Sequence, residues 1–280
     1  MSIVEPTPAV NYHAHPAISR SGLVCFRQSR RLYHARHVLG LPEAQVEPTP
    51  QMNLGTLCHA ELLEPGSLEG KYVVLTDWPD YRTKAAREWR DAQTAAGKMV
   101  VRPGEIDQQV AVVKAACALA GKWIERATAI EQPIFWVDRE TGLACRCKPD
   151  WIVQTPGTVY VLDFKTTDDA SPSAFARRFN DGLWLQDEHY TAGVQAEYGD
   201  EFDVQFLFVV VETKLPYRGA VYRTGREFGA DRAITAEYRD TLHAMAACYA
   251  ADDWREPWEG QITPLTVWER SFKSDAMGRS

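Results

Sequence analysis

The chain has 280 residues, 45% of them hydrophobic, with a formal net charge of −7. This is enough apolar material for one large core, and no run of 18 or more apolar residues is present to span a bilayer. The negative balance excludes a protein coated in basic residues for duplex binding, so any nucleic-acid site must be a local basic surface.

The opening segment "MSIVEPTPAVNYHAHP" has neither the basic nor the apolar region of a secretory leader. Cys25, Cys58, Cys117, Cys145, Cys147 and Cys248 are scattered without a CxxC pair. Together these predict reduced thiols and a cytoplasmic location. Between Glu5 and Glu43 no acidic residue occurs, yet the stretch holds Arg20, Arg27, Arg30, Arg31, Arg36 and four histidines. Ser19 or Ser21 is placed to cap a helix there. "GTLCHAELLEP" (55–65) reads as a short helix closed by Pro65 and Gly66, and residues 81–98 as a polar, exposed helix. Apolar residues at helical spacing over 105–127 predict a core helix. Strand signals dominate from Ile134 to Lys165, "VQFLFVVVE" (204–212) reads as a central strand, and a last helix covers 232–254. Without repeats, low-complexity tracts or linkers, the expectation is one α/β domain over 1–280. Within it, a basic helical segment spans about 12–40 and a core about 54–254.

"CRCKPDWIVQT" and "TVYVLDFKTT" are separated by Pro156-Gly157, a turn signal. If those two residues make the turn, opposed residues have numbers adding to 313, and Asp150 lies across from Asp163 with Cβ atoms roughly 5 Å apart. Lys165 shares that face because strand side chains alternate with period two. Facing carboxylates repel unless a positive charge lies between them, and a hard divalent cation suits oxygen ligands of this kind. Glu131, just before "PIFWVD", would return near the level of Asp150 after a turn around "RETG". An isolated D-x-K is common and, on an exposed strand, would be a solvated ion pair worth little. Its place at the end of an apolar run, after a hairpin carrying a matched aspartate, favours a metal site.

Pro149-Asp150 followed by Asp163-Phe164-Lys165 resembles the PD-(D/E)xK nuclease motif. "YHAHPAISRSGL", "LGTLCHAELLEP", "ETGLACRCKPD", "LDFKTT" and "QDEHYTAGVQAEYG" resemble, in order, segments of the RecE-type 5′→3′ exonucleases, from about Tyr12 to Trp254. The resemblance implies a restriction-endonuclease-like core, a mixed central sheet flanked by helices, and digestion of linear duplex DNA that leaves a 3′ single strand. It implies Mg²⁺, with Mn²⁺ able to substitute, and a single-strand annealing partner. By the same resemblance Asp150, Asp163, His59 and the Phe164 main-chain carbonyl would hold metal. Lys165 would orient or help deprotonate the attacking water, and Glu131, Gln186 and Tyr190 would complete the catalytic set. Gln186 and Tyr190, four apart, share a helix face.

Guanidinium forks suit phosphate, so Arg27 and Arg31 in the acid-free stretch are candidates for a 5′-phosphate site, with Arg82, Lys84 and Arg87 the next duplex contacts. Cys145 and Cys147 lack partners for zinc and read as packing residues. RecE-type and lambda-type exonucleases are toroids, which implies a ring-shaped trimer or tetramer. Aromatics around Trp78–Trp89 and Trp254–Trp268 are the candidate interface. The alternatives are a structure-specific endonuclease of the same superfamily and a catalytically silent DNA-binding module. The intact Asp150, Asp163 and Lys165 set argues against the latter.

Overall fold

The structure, a computed structural model, describes residues 12–45, 50–67, 70–224 and 231–262. In chain order the helices are α1 (Arg20–Gln28), α2 (Arg30–Tyr33), α3 (Pro50–Leu63), α4 (Lys84–Ala95), α5 (Pro103–Ile124), α6 (Pro172–Arg178), α7 (Trp184–Tyr198) and α8 (Asp231–Ala251). The strands are β1 (Tyr72–Val74), β2 (Met99–Val101), β3 (Ala129–Ile130), β4 (Ile134–Val137), β5 (Ala144–Cys147), β6 (Trp151–Thr155), β7 (Thr158–Thr167), β8 (Asp203–Glu212) and β9 (Gly219–Arg223). No helix among the described residues is long and apolar enough to cross a membrane.

Five strands form a mixed sheet in the order β3-β6-β7-β8-β9, in which only the β7–β8 pair is parallel. The β6–β7 hairpin turns at Pro156-Gly157, where Gly157 takes the positive φ of 77° that such a turn needs. Its register runs unbroken from Thr155–Thr158 to Trp151–Leu162, as the turn predicts.

Period-two alternation sorts this sheet onto two cores. Trp151, Val153, Leu162, Phe164, Leu207, Val209 and Val211 face α3 and α5, which bring Cys58, Leu62, Val112, Ala116 and Ala120. Ile152, Val159, Val161, Phe206, Phe208 and Val210 face Phe175 and Val194 of α6 and α7. Asp163 and Lys165 continue the Val159–Val161 row, so the α7 face carries the charged pair. Beyond α7 lies a third cluster, in which Leu23, Phe26, Tyr33, Tyr238, Leu242 and Trp254 from α1, α2, α8 and the chain after it pack on Trp184, Leu185 and Cys145. Helix α7 is therefore covered on opposite sides.

The chain ahead of α1 is stitched to β5: Ile18 N–H donates to Ala144 O at 2.8 Å, and Arg146 N–H donates to Ile18 O at 2.8 Å. Ser19 then caps α1, its hydroxyl accepting from Gly22 N–H. Cys145 and Cys147 are buried packing residues in separate cores, and the six cysteines are unpaired. Helix α4 buries Ala86, half-buries Trp89, Arg90 and Gln93, and connects the parallel β1–β2 pair. Trp254, offered above as an interface aromatic, is instead buried against Tyr33 and His34. Trp78 and Trp89 lean on each other at 5.9 Å, and Trp268 lies outside the described residues.

Gly193 shows how closely α7 sits on the β4–β5 hairpin. A Cβ there would stand 2.6 Å from Trp136 Cζ3 and 2.8 Å from Cys147 Sγ. Gly193→Ala should therefore cost about 1–3 kcal/mol through overpacking and lower the melting temperature by several degrees. Calorimetry checks this, and an unchanged melt would mean α7 is free to move outward.

Candidate active site

A cleft of 320 Å³ opens where β7, α3, α7 and the start of α1 meet, lined by Asp150, Asp163, Lys165, His59, Gln186 and Tyr190 among others. One step past Trp151–Leu162, the hairpin register sets Asp150 opposite Asp163. Asp150 and Asp163 are only 6% and 2% exposed. The fold also fixes Asp150 directly, because Phe164 N–H donates to its Oδ2 at 2.7 Å.

The surrounding polar groups converge on these two carboxylates. Lys165 forms an ion pair with Asp163 Oδ2, and the Gln186 amide donates to Asp163 Oδ1. On α3, His59 places Nε2 3.0 Å from the Phe164 carbonyl oxygen and Nδ1 3.5 Å from Asp150 Oδ2. Burial, then the neighbouring Asp163 charge, push the Asp150 carboxyl up to about 7. Burial likewise lifts the Tyr190 hydroxyl well above the usual phenol range, so it remains a neutral donor.

The donor set suits a hard divalent cation. Two carboxylates line the cleft, the Phe164 carbonyl lies against the cleft-lining His59, and Asp163 Oδ2, though ion-paired, is sealed from solvent and accepts no hydrogen bond. Among the described residues no three His, Cys, Asp or Glu side chains already close round one point. Lys165 and Gln186 lie on the Asp163 carboxylate, and His59 on the Phe164 carbonyl.

Other sequence expectations land elsewhere. Glu131 is at the level of Asp150, its N–H donating to Asp150 O at 3.0 Å. Its carboxylate, however, turns to Lys148, 2.8 Å away, and does not line the cleft. Arg27 is stacked on Trp184 and paired with Glu237 and Thr241, while Arg31 is held by Glu259 at 2.8 Å. Neither lines the cleft. Arg82 and Lys84 sit on the exposed surface beside Asp80 and Glu88. From the acid-free stretch the cleft instead takes Ser19, Arg20 and Ser21, together with Tyr12 and Arg146, whose guanidinium lies 4.7 Å from the Tyr12 ring centre. The quoted segment "YHAHPAISRSGL" already contained Tyr12 and Arg20. What it lacked was the strand pairing that turns them inward.

Residues 19–258 match the family described as "PDDEXK-like domain of unknown function (DUF3799)". No curated protein matches the chain. Among solved structures, a proposed exonuclease from Eubacterium rectale shares the fold at a TM-score of 0.57 and 11% identity, over 95% of this chain and 97% of its own. A second structure, SSO0001, aligns at a TM-score of 0.32 and 16% identity over 71% of this chain and 87% of its own, which is too distant to inform the fold.

Holding Asp150 ionised beside Asp163 costs stability when no cation is present. Asp150→Asn, which can keep the bond from Phe164 N–H, should therefore raise the melting temperature at pH 8 in EDTA. A variant that melts at or below wild type would show that the facing charges are already neutralised within the fold.

Proposed function

The chain belongs to the PDDEXK-like family, and on that footing we propose that it is a divalent-cation-dependent nuclease acting on linear double-stranded DNA from 5′ ends to leave 3′ tails. The observation that carries this reading is the buried Asp150–Asp163 pair with Lys165 on the same strand face. The resemblance of "YHAHPAISRSGL", "LDFKTT" and "QDEHYTAGVQAEYG" to RecE-type segments supports the exonucleolytic mode and its polarity.

In this reading Asp150, Asp163 and the Phe164 carbonyl hold Mg²⁺ or Mn²⁺, with His59 beside them. The cation, when bound, supplies Lewis-acid stabilisation of the phosphate and acidifies a water. Lys165 orients that water and offsets charge on the phosphorane-like transition state. Gln186 fixes the Asp163 rotamer through its Oδ1 bond, and neutral Tyr190 faces the cleft from the next turn of α7. Glu131 acts through its backbone, whose N–H holds the Asp150 carbonyl, while its side chain braces Lys148. A ring-shaped trimer or tetramer suits the net charge of −7, because closure tethers DNA topologically where salt-sensitive phosphate contacts are few. The 3′ tail would then pass to a single-strand annealing partner.

Asp150→Ala, Asp163→Ala and Lys165→Ala should each lower hydrolysis of linear duplex by roughly a hundredfold or more. EDTA should mimic the aspartate losses, and Lys165→Ala should still bind DNA. Normal cleavage by Asp163→Ala would remove the site assignment, and equal digestion of covalently closed circles would make the enzyme an endonuclease. Light scattering should report a mass several times 31.6 kDa. A monomeric mass at micromolar concentration would defeat the ring.

A further inference from the structure

Strand β4 breaks the alternation expected of an antiparallel strand with one face in water, where outward positions are polar. Ile134 is buried and Trp136 packs on α7, but the outward positions carry Phe135 and Val137, 39% and 63% exposed. Phe135 joins none of the three hydrophobic clusters formed by the described residues. It is not an isolated surface ring, however. His15 lies 4.6 Å from it and Tyr12 6.1 Å, centre to centre. Ala17 N–H holds the His15 ring by donating to its Nδ1 at 3.1 Å. The cross-strand partner of Phe135 on β5 is Arg146, whose guanidinium lies over the Tyr12 ring.

Tyr12 and Arg146 also line the catalytic cleft, so this face continues the cleft wall outward. At 320 Å³ the cleft is at the small end of ligand pockets, a size that suits one nucleotide rather than a base pair. A terminal linkage then reaches Asp163 and Lys165 only when its nucleotide leaves the helix. Leaving costs the base its partner and its stacking neighbours, and an aromatic surface beside the cleft replaces the second. Phe135, His15 and Tyr12 offer rings at that place, with the Arg146 cation among them. A second copy of the chain is the other occupant such a face could take. Continuity with the cleft favours the nucleotide, because a subunit contact has no use for a guanidinium shared with the site of hydrolysis.

Resting on the nuclease reading, we propose that Phe135, His15 and Tyr12 form a stacking ledge for unpaired nucleobases at the DNA end. The ledge holds a base that has come out of the duplex, and so favours the opened end over the paired one. Its ligand is the base rather than the phosphate. Ring stacking accepts all four bases, as degradation of arbitrary sequence requires. Val137 extends the same apolar strip one pleat further along β4.

Binding measured in EDTA tests the ledge apart from hydrolysis. The probes are short fluorescent duplexes whose terminal 5′ nucleotides are unpaired, so that the cost of opening the end is not measured. One probe carries bases at those positions and the other abasic sites, and both are read by anisotropy. Wild type should bind the base-bearing end about tenfold tighter than the abasic one. Phe135→Ala should lose that preference by weakening only the base-bearing end, and Phe135→Trp should restore it. Phe135→Leu, which keeps apolar bulk and loses the ring, should behave as the alanine variant, with circular dichroism confirming folding of all three. A merely structural role would weaken both ends alike and would overturn the ledge. So would equal binding of the two ends by wild type, or full preference kept by both ring-deleted variants. If light scattering then shows those variants as a smaller assembly, the face is a subunit contact instead. Failure of wild type to bind any DNA would overturn the nuclease reading with it.

Discussion

Asp150 and Asp163 face each other because β6 and β7 pair without a bulge from the Pro156-Gly157 turn to the end of the hairpin. A one-residue slip would send Asp163 and Lys165 to the α3–α5 face and Phe164 to the cleft. The register is therefore both a packing constraint and a chemical one. Three groups are arranged around it: Phe164 N–H on Asp150, Gln186 on Asp163, His59 between Asp150 and the Phe164 carbonyl.

The hairpin was legible in the sequence because its turn residues and its alternation are local. The same holds for α5, with its helical spacing of Val112, Ala116 and Ala120, and for β8, with its apolar run. Helix α7 was harder. Its buried residues include Trp184, Leu185, Gln186, Asp187, Glu188 and His189, so no apolar stripe marks one inward face. Such a pattern arises when a helix is covered by a sheet on one side and by other helices on the other. Gln186 and Tyr190 could be placed only through resemblance.

Charge partners were the least legible feature. Arg27 and Arg31 lie in a stretch empty of acids, yet Glu237 and Glu259, more than two hundred residues later, come back to meet them. Glu131 was read at the right level, but the sequence could not show that Lys148 would claim its carboxylate. Distant pairing of this kind is set by the third core cluster, which brings α8 onto α1 and α2. Arg20 stays clear of those carboxylates because it sits at the opposite end of α1, where the Ile18 bonds to β5 aim the helix start at the cleft.

That stitching gives the residues around Ile18 two duties. Ile18 shields one backbone edge of β5, whose other edge is taken by β4. Proteins seldom leave such an edge bare, since an unpaired strand is a template for joining another chain. Shortening the protein beyond Ile18 would therefore expose a self-associating strand and withdraw Arg20 from the cleft in the same cut. Loss of solubility and loss of a cleft residue would arrive together, so a truncation series could not by itself separate a folding role for this segment from a role in the cleft.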